Sequence, residues 1–512
     1  METRLPQYPA FPVPERARQM TSVRRALAIS FIERYALIAI SLASNILIAR
    51  LLSPEEIGLY SVSLAVIGIA QVLRDFGVGG YLIQENNLTE AHIRTAFGVA
   101  LIMGLLLFMI TLAGASLAVR VYAEPRMLLT LQICSINFLI LPFCTVSLAM
   151  LRREMLFQKI LYVTLSATIL GFITTITLAY LDFGANSMAI GTVTTNICSG
   201  FGAWIVRQER VILLPALNEW RSVVGFGTKR SAASIAVTIS SDITELVAGK
   251  LLGFSPVAIL SRAQGLMNIF QRDLMAAVHG VAYPAFANAH RQNQDLENHH
   301  INSVAIISVF AWPFYGFVSI FSLEILNLLF GPQWDAAASF VGWYCLSGAI
   351  LTPSYLVISL LTATGNITTA TKIELITHPL RAIFFVTGLV IYPYIETPPF
   401  LFVIAAAISA PYAFFMKNKV LPNDYNHLFK QLTKSLLVTA LSLIPTLIFA
   451  NIEIKISTIA IPALIPASIA AIVCWYIALY ATRHQLINEA VFQSISNKMF
   501  GALKTIAKSD TK

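Results

Sequence analysis

The residues of this sequence best placed to do chemistry are charged side chains set inside apolar runs. They are Glu33 and Arg34, Arg74 and Asp75, Asp242, Glu245 and Lys250, and Arg262, Arg272 and Asp273. An ionisable group at the centre of a bilayer costs at least about 2.5 to 3.5 kcal/mol on insertion scales, so it must face a bundle interior, a water-filled cavity or a partner charge. Asp242 and Glu245 stand three residues apart, on one helical face, with the hydroxyls of Thr238, Ser241 and Thr244 nearby. Paired acids at mid-membrane suit a coupling proton or cation. Arg262 and Arg272 are ten residues apart, close to three turns, which predicts similar faces. Lys250 and Arg262 have no carboxylate within four residues on either side and read as substrate contacts. For Glu33–Arg34, Arg74–Asp75 and Arg272–Asp273 two readings stand: each pair lines the cavity, or it neutralises itself and snorkels to an interface. Cations outnumber anions, which suits an anionic cargo, and the planar guanidinium fork matches phosphate oxygens. A lipid-linked pyrophosphate fits.

The elements that position these groups follow from composition. Of 512 residues 57% are hydrophobic and 12% charged, about half the charged share of a soluble domain. So few charges cannot keep so much apolar surface dispersed in water, and the solvent must be lipid. A spanning helix needs about 20 mostly apolar residues. Fourteen such runs are predicted, near 26–49, 57–83, 95–119, 127–150, 160–180, 186–206, 231–252, 257–284, 302–325, 336–363, 373–393, 398–416, 433–450 and 456–481. Those at 57–83, 231–252 and 257–284 are the polar ones. The fold class is therefore all-α integral membrane: an N-terminal tail at 1–25, an N-lobe of six helices at 26–206, a linker at 207–230, a C-lobe of six at 231–416, a helix pair at 433–481 and a C-terminal tail at 482–512. Arg50-Leu51-Leu52 is echoed by Lys250-Leu251-Leu252, and Arg74-Asp75 by Arg272-Asp273, as expected of a chain built from two repeated lobes. The charged pairs then fall in the first two helices of each lobe, whose polar faces would meet in a cavity.

Charge placement gives the orientation. Of 35 Lys and Arg residues, 24 fall in the tails and alternate loops expected inside, and Arg50, Arg120, Arg126 and Lys455 alone fall in those expected outside. This places both termini in the cytoplasm. The outside loops are all short and leave no room for a folded catalytic domain. No basic stripe with interleaved aromatics suggests nucleic acid. The stretch Gly225-Phe226-Gly227-Thr228-Lys229-Arg230-Ser231 lacks phosphate-loop spacing and reads as a turn leading into a helix. His290, His299 and His300 read as members of a solvated loop. Cys134, Cys144, Cys198, Cys345 and Cys474 show no paired spacing and read as small buried hydrophobes, with neither metal nor disulfide and no cofactor implied.

Two stretches carry a family resemblance. Ala49-Arg50-Leu51-Leu52-Ser53-Pro54-Glu55-Glu56-Ile57-Gly58-Leu59-Tyr60, followed by Arg74-Asp75-Phe76-Gly77, resembles the opening hairpin of bacterial polysaccharide flippases, the polysaccharide transporter branch of the multidrug/oligosaccharidyl-lipid/polysaccharide exporter superfamily. Arg262-Ala263-Gln264-Gly265-Leu266-Met267-Asn268 with Tyr283-Pro284-Ala285-Phe286 resembles the matching region of O-antigen, colanic-acid and succinoglycan exporters. The resemblance implies a two-lobed, V-shaped bundle in the bacterial inner membrane that moves an undecaprenyl-pyrophosphate-linked oligosaccharide outward by alternating access. It further implies a transporter and not an enzyme, acting in exopolysaccharide or lipopolysaccharide biosynthesis beside the polymerase and chain-length proteins of its pathway. The resemblance implies Arg34 and Arg262 as the cationic headgroup contacts; Lys250, Arg74 and Arg272 are expected to assist them from their placement inside apolar runs. It also likens the last two helices to a pair that grooves a lipid tail. A cation-coupled multidrug extruder of the same superfamily is the alternative, and an oligosaccharide polymerase or ligase is disfavoured by the short outside loops.

Overall fold

The computed structural model describes residues 23–75, 77–207, 214–455, 460–489, 492–494 and 496, with side chains described except at 23–31, 69, 72–75, 222, 226–237, 452–455 and 460–463. Among the described residues every regular element is helical. The chain divides into two units, Met1–Ala258 and Ile259–Lys512.

The first unit holds α1 (Val23–Leu51), α2 (Pro54–Asp75), α3 (Val78–Gln84), α4 (Glu90–Tyr122), α5 (Arg126–Arg153), α6 (Phe157–Tyr180), α7 (Ala185–Val206) and α8 (Trp220–Leu251). Local chemistry sets the boundaries. Pro54 opens α2, where its missing N–H is no loss, and the Ser53 hydroxyl accepts the Glu56 N–H at 3.3 Å. Thr89 and His92 form a reciprocal cap at the start of α4. Glycines let helices approach closely. A Cβ on Gly171 of α6 would lie 1.7 Å from Thr195 Oγ1, and one on Gly191 of α7 would lie 1.8 Å from Thr175 Oγ1. Each threonine donates to the carbonyl of the glycine four residues earlier in its own helix, at 2.9 and 3.0 Å. This reciprocal glycine–threonine contact is the small-residue packing that membranes favour, because lipid supplies no hydrophobic drive between helices.

α8 begins at Trp220, inside the stretch read as linker, so the described residues of 225–231 belong to a helix and not to a turn before one. It packs with the first unit, chiefly on α2, although the sequence reading assigns it to the C-lobe. α9 (Phe254–Asn268) crosses the unit boundary.

The second unit continues through a π-helical turn at Ile269–Leu274 into α10 (Met275–Arg291), α11 (Leu296–Ile320), α12 (Ser322–Leu329), α13 (Ala338–Leu351), α14 (Tyr355–Ala363), α15 (Ile367–Ile391), α16 (Thr397–Asn418), α17 (Tyr425–Lys455) and α18 (Ala460–Thr482). Pro353 breaks the run between α13 and α14 into a short 3-10 turn. Trp334, Tyr315 and Phe321 are among its largest buried side chains. His300, expected in a solvated loop, is instead fully buried in the first turns of α11 beside Phe286 and Phe414. Lys417, also fully buried, donates to Glu297 and, at 2.7 Å, to Asn423 Oδ1, while Glu297 accepts the Asp424 N–H at 3.1 Å. This pins the α16–α17 turn to the start of α11.

Among the described residues eleven helices are long and apolar enough to cross a membrane. They coincide with eleven of the fourteen expected runs. The other three are the polar ones, which form α2 with α3, α8, and α9 through α10. Large apolar side chains face outward, as on α18 with Ile465, Ile469, Ile472 and Ile477. That is the pattern of a helix facing hydrocarbon, and it makes the chain a multi-pass membrane protein.

Two predictions follow from these contacts. Removing one partner of a buried ion pair strands the other, so Lys417→Ala should cost about 3 to 5 kcal/mol, with most of it recovered in Lys417→Met/Glu297→Gln, by thermal unfolding in detergent. His484, just beyond α18, accepts the Leu486 N–H on Nδ1 at 3.2 Å and places Nε2 3.0 Å from Ser435 Oγ. Burial, then the nearby Lys434 charge, lowers its pKa from 6.5 to about 4. The unfolded chain therefore binds this proton first as pH falls, and stability drops between pH 6.5 and 4. The drop between pH 7.5 and 4.5 should be smaller in His484→Asn than in the wild type.

Candidate functional site

In the first unit the acids of α8 meet a glycine of α2. A Cβ on Gly68 would sit 1.8 Å from Asp242 Oδ2, so the carboxylate lies directly on the α2 backbone. That oxygen is buried and has no hydrogen-bond partner among the described residues. Glu245 follows one turn on, half-buried. Thr244 Oγ1 donates to the Ser241 carbonyl at 2.6 Å and so leaves the acids unassisted. Further along, Gly249 abuts Val62 and Tyr122 Oη donates to the Leu246 carbonyl at 3.0 Å, clamping α8 between α2 and α4. A buried carboxylate oxygen with no donor carries a large solvation cost. The arrangement can hold a proton or a cation.

The remaining charges of this unit are spoken for or lie apart. Lys250, expected to contact substrate, is exposed in the last turn of α8 and donates to the Val121 carbonyl at the end of α4, where it serves as a C-terminal cap. Glu33 accepts from Thr164 Oγ1 of α6 at 2.9 Å, while Arg34 beside it is exposed. Glu33 is thus bonded to a neighbouring helix and not to its adjacent arginine. The side chains of Arg74 and Asp75 lie outside the described residues. Arg126 binds Glu55 at 2.5 Å, Glu56 at 3.0 Å and Glu124 at 2.8 Å, and Glu56 also accepts the Ala185 N–H at 2.6 Å. The hydrogen bond from Arg126 holds the Glu124 carboxyl below its ordinary pKa. One arginine thereby ties the starts of α2, α5 and α7.

In the second unit Arg262 is half-buried, with its guanidinium 4.9 Å from the ring centroids of both Phe330 and Trp334. Among the described residues it forms no ion pair. Aromatic faces attract a guanidinium while leaving its donor edges open. Arg272 does not share this face. The π-helical turn interrupts the three-turn register, and Arg272 is exposed, paired through Nε with its neighbour Asp273 at 2.9 Å. The self-neutralising reading describes this pair.

The second unit also carries a partly open cavity of about 440 Å³, lined chiefly from the π-helical turn, α10, α14, α15 and α16. Glu374, His378 and Arg381 of α15 line it, spaced i, i+4 and i+7 on one helical face. Arg381 lies inside the expected apolar run at 373–393 but is not among the charges singled out from the sequence. The signal that would have found all three is the helical spacing of ionisable groups in an apolar run.

The Gly68–Asp242 contact is directly testable. Gly68→Ala should destabilise by about 1 to 3 kcal/mol, and Asp242→Ala in the same chain should relieve most of that, giving a coupling above about 1 kcal/mol in a double-mutant cycle of unfolding free energies.

Residues 47–339 match a family described as "Polysaccharide biosynthesis protein". Among individual proteins, the chain is 22% identical over 343 residues to the lipopolysaccharide biosynthesis protein WzxC of Escherichia coli, covering 66% of this chain and 69% of that one. It is 25% identical over 329 residues to the succinoglycan biosynthesis transport protein ExoT of Rhizobium meliloti, covering 62% and 65%. The matched region thus spans about two thirds of these relatives. Among solved structures, the lipid II flippase MurJ in an inward closed conformation superposes with a TM-score of 0.69 over 90% of this chain and 99% of that one, at 14% identity. A multidrug resistance MATE family transporter in an inward-facing conformation superposes at 0.58 over 75% and 94%, at 15% identity. At such identities the likeness establishes the fold alone.

Proposed function

The chain belongs to the polysaccharide biosynthesis protein family, and from that premise we propose that it is a flippase moving an undecaprenyl-pyrophosphate-linked oligosaccharide repeat unit across the bacterial inner membrane by alternating access. The observation that carries the reading is Arg262. A permanent cation within the helical bundle, cradled by Phe330 and Trp334 and forming no ion pair among the described residues, has its donor fork available for phosphate oxygens. Arg34, exposed on α1, and Arg74 are the further candidate cations of the first unit, while Arg272 is left out because Asp273 neutralises it. Lys250 is left out because its ammonium caps α4.

Asp242 and Glu245 supply the coupling site in this reading. The buried, unpartnered Oδ2 of Asp242 calls for a proton or a cation, and its seat on Gly68 ties that occupancy to the contact between α2 and α8. The names of the relatives support the cargo class: lipopolysaccharide and succinoglycan biosynthesis for WzxC and ExoT, lipid II for MurJ. Both termini face the cytoplasm on the positive-inside count. The polymerase and chain-length proteins of the same pathway are the proposed partners.

Complementation tests this. Deleting the gene should abolish one surface polysaccharide, and the wild-type chain should restore it. Arg262→Ala at equal expression should restore about a tenth or less, Arg262→Lys an intermediate amount, and Lys250→Met nearly all. Full export by Arg262→Ala would remove Arg262 from the cargo site. Unaltered polysaccharide together with new drug susceptibility in the deletion strain would favour the multidrug extruder.

A further inference from the structure

We propose that the cavity inside the second unit binds an acidic sugar residue, its carboxylate on Arg381 and its hydroxyls on Glu374 and the polar groups beside it. The proposal rests on the flippase reading for its biological meaning, since it assigns a charged sugar to the cargo, but the binding itself stands on the cavity.

The observations are these. Arg381 lines the cavity with its guanidinium 5.0 Å from the Phe402 ring centroid, and among the described residues it forms no ion pair. A ring beneath the plane fixes a guanidinium and leaves its edges to donate, the geometry that receives a carboxylate bidentately. Three other cavity residues keep polar atoms, Gln271 Oε1, Tyr355 Oη and His378 Nδ1, buried without a hydrogen-bond partner among the described residues. Lining a cavity, such groups are free to bond what fills it. Ser409 adds a hydroxyl from α16.

Glu374 decides among ligand classes. It lies seven residues before Arg381 on the same face of α15, about 10 Å along the axis. A cation would meet the permanent positive charge of Arg381, so it is disfavoured. A phosphate would meet one permanent cation and a carboxylate, too little positive charge for a dianion and repelled at one end. A sugar carrying a carboxylate matches both ends: the carboxylate at Arg381, and hydroxyls donating to Glu374 and bonding the amide and hydroxyls between. The volume of about 440 Å³ is of monosaccharide-to-disaccharide size and falls within the range of ligand pockets.

The test uses the full-length protein in lipid nanodiscs and saturation-transfer NMR with methyl glucuronide, methyl glucoside and inorganic phosphate as probes. Glucuronide should bind about tenfold better than glucoside. Arg381→Gln should abolish that preference and Lys250→Met should leave it intact. A Ser409→Cys variant locates the site independently of any change at Arg381: glucuronide should protect it from maleimide, above the wild-type background, and glucoside should not. Equal binding of the two sugars, displacement of glucuronide by equimolar phosphate, a preference that survives Arg381→Gln, or unprotected Cys at position 409 would each overturn the proposal. Polysaccharide export is scored separately. An unchanged polysaccharide in the deletion strain would defeat the flippase reading and leave the binding result standing, whereas failed binding with export intact would defeat this site alone.

Discussion

The constraint on which this structure depends is that a polar group in an apolar solvent must find its partner inside the protein. It divides the charges into those that build the bundle and those left over. Lys417 with Glu297, Arg126 with three glutamates, Lys250 on the Val121 carbonyl and Glu33 on Thr164 belong to the first kind. Each joins two or more helices, so its desolvation cost is offset by fixing the register between them. Arg262, Arg381 and Asp242 Oδ2 belong to the second kind. What they lack in partners is what a cargo or a coupling ion would provide.

Close packing serves the same end. Because lipid is as apolar as leucine, the helices associate through contact area and hydrogen bonds, and small residues set how near they come. At Gly171 and Gly191 the close approach serves packing alone, with each threonine satisfied within its own helix. At Gly68 the same device places a carboxylate against backbone and strips one oxygen of water. One kind of residue thus produces a hydrogen-bonded packing contact on α6 and α7 and an unpartnered buried carboxylate oxygen on α2 and α8.

The helical membrane architecture was legible in the sequence because hydropathy over about 20 residues responds to the demand lipid makes. The runs at 57–83, 231–252 and 257–284 fall short of that measure because they carry the polar residues that hold Asp242, Glu245, Arg262 and Arg272. Their polarity is both the noise in the span count and the signal for function. What stayed hidden depends on contacts distant in sequence. Nothing near Lys250 announces the carbonyl of Val121, and nothing near Glu33 points to Thr164, 131 residues away. The fixed period of an ideal helix also misplaced Arg272, since the π-helical turn resets the face after Phe270. His300 read as loop because its neighbours are polar, yet α11 turns it toward Phe286 and Phe414. Arg381 was visible as a charge and went unassigned because its companions Glu374 and His378 matter only once α15 lines a cavity.

The way the second unit holds Arg262 and Arg381 bears on how a transporter can bind and still release. A carboxylate at 4 Å from a guanidinium is worth about 4 kcal/mol at an effective dielectric of 20, and an anionic cargo would have to displace it. An aromatic face contributes about 0.5 to 2 kcal/mol and occupies none of the in-plane donors. Phe330 and Trp334 under Arg262, and Phe402 under Arg381, therefore orient a permanent charge without neutralising it. A protein that needed these arginines only for stability would do better with acids opposite them, as at Lys417. Rings in their place keep the charges available to an anion and keep the competing internal interaction weak, so that affinity is set by the cargo's own contacts.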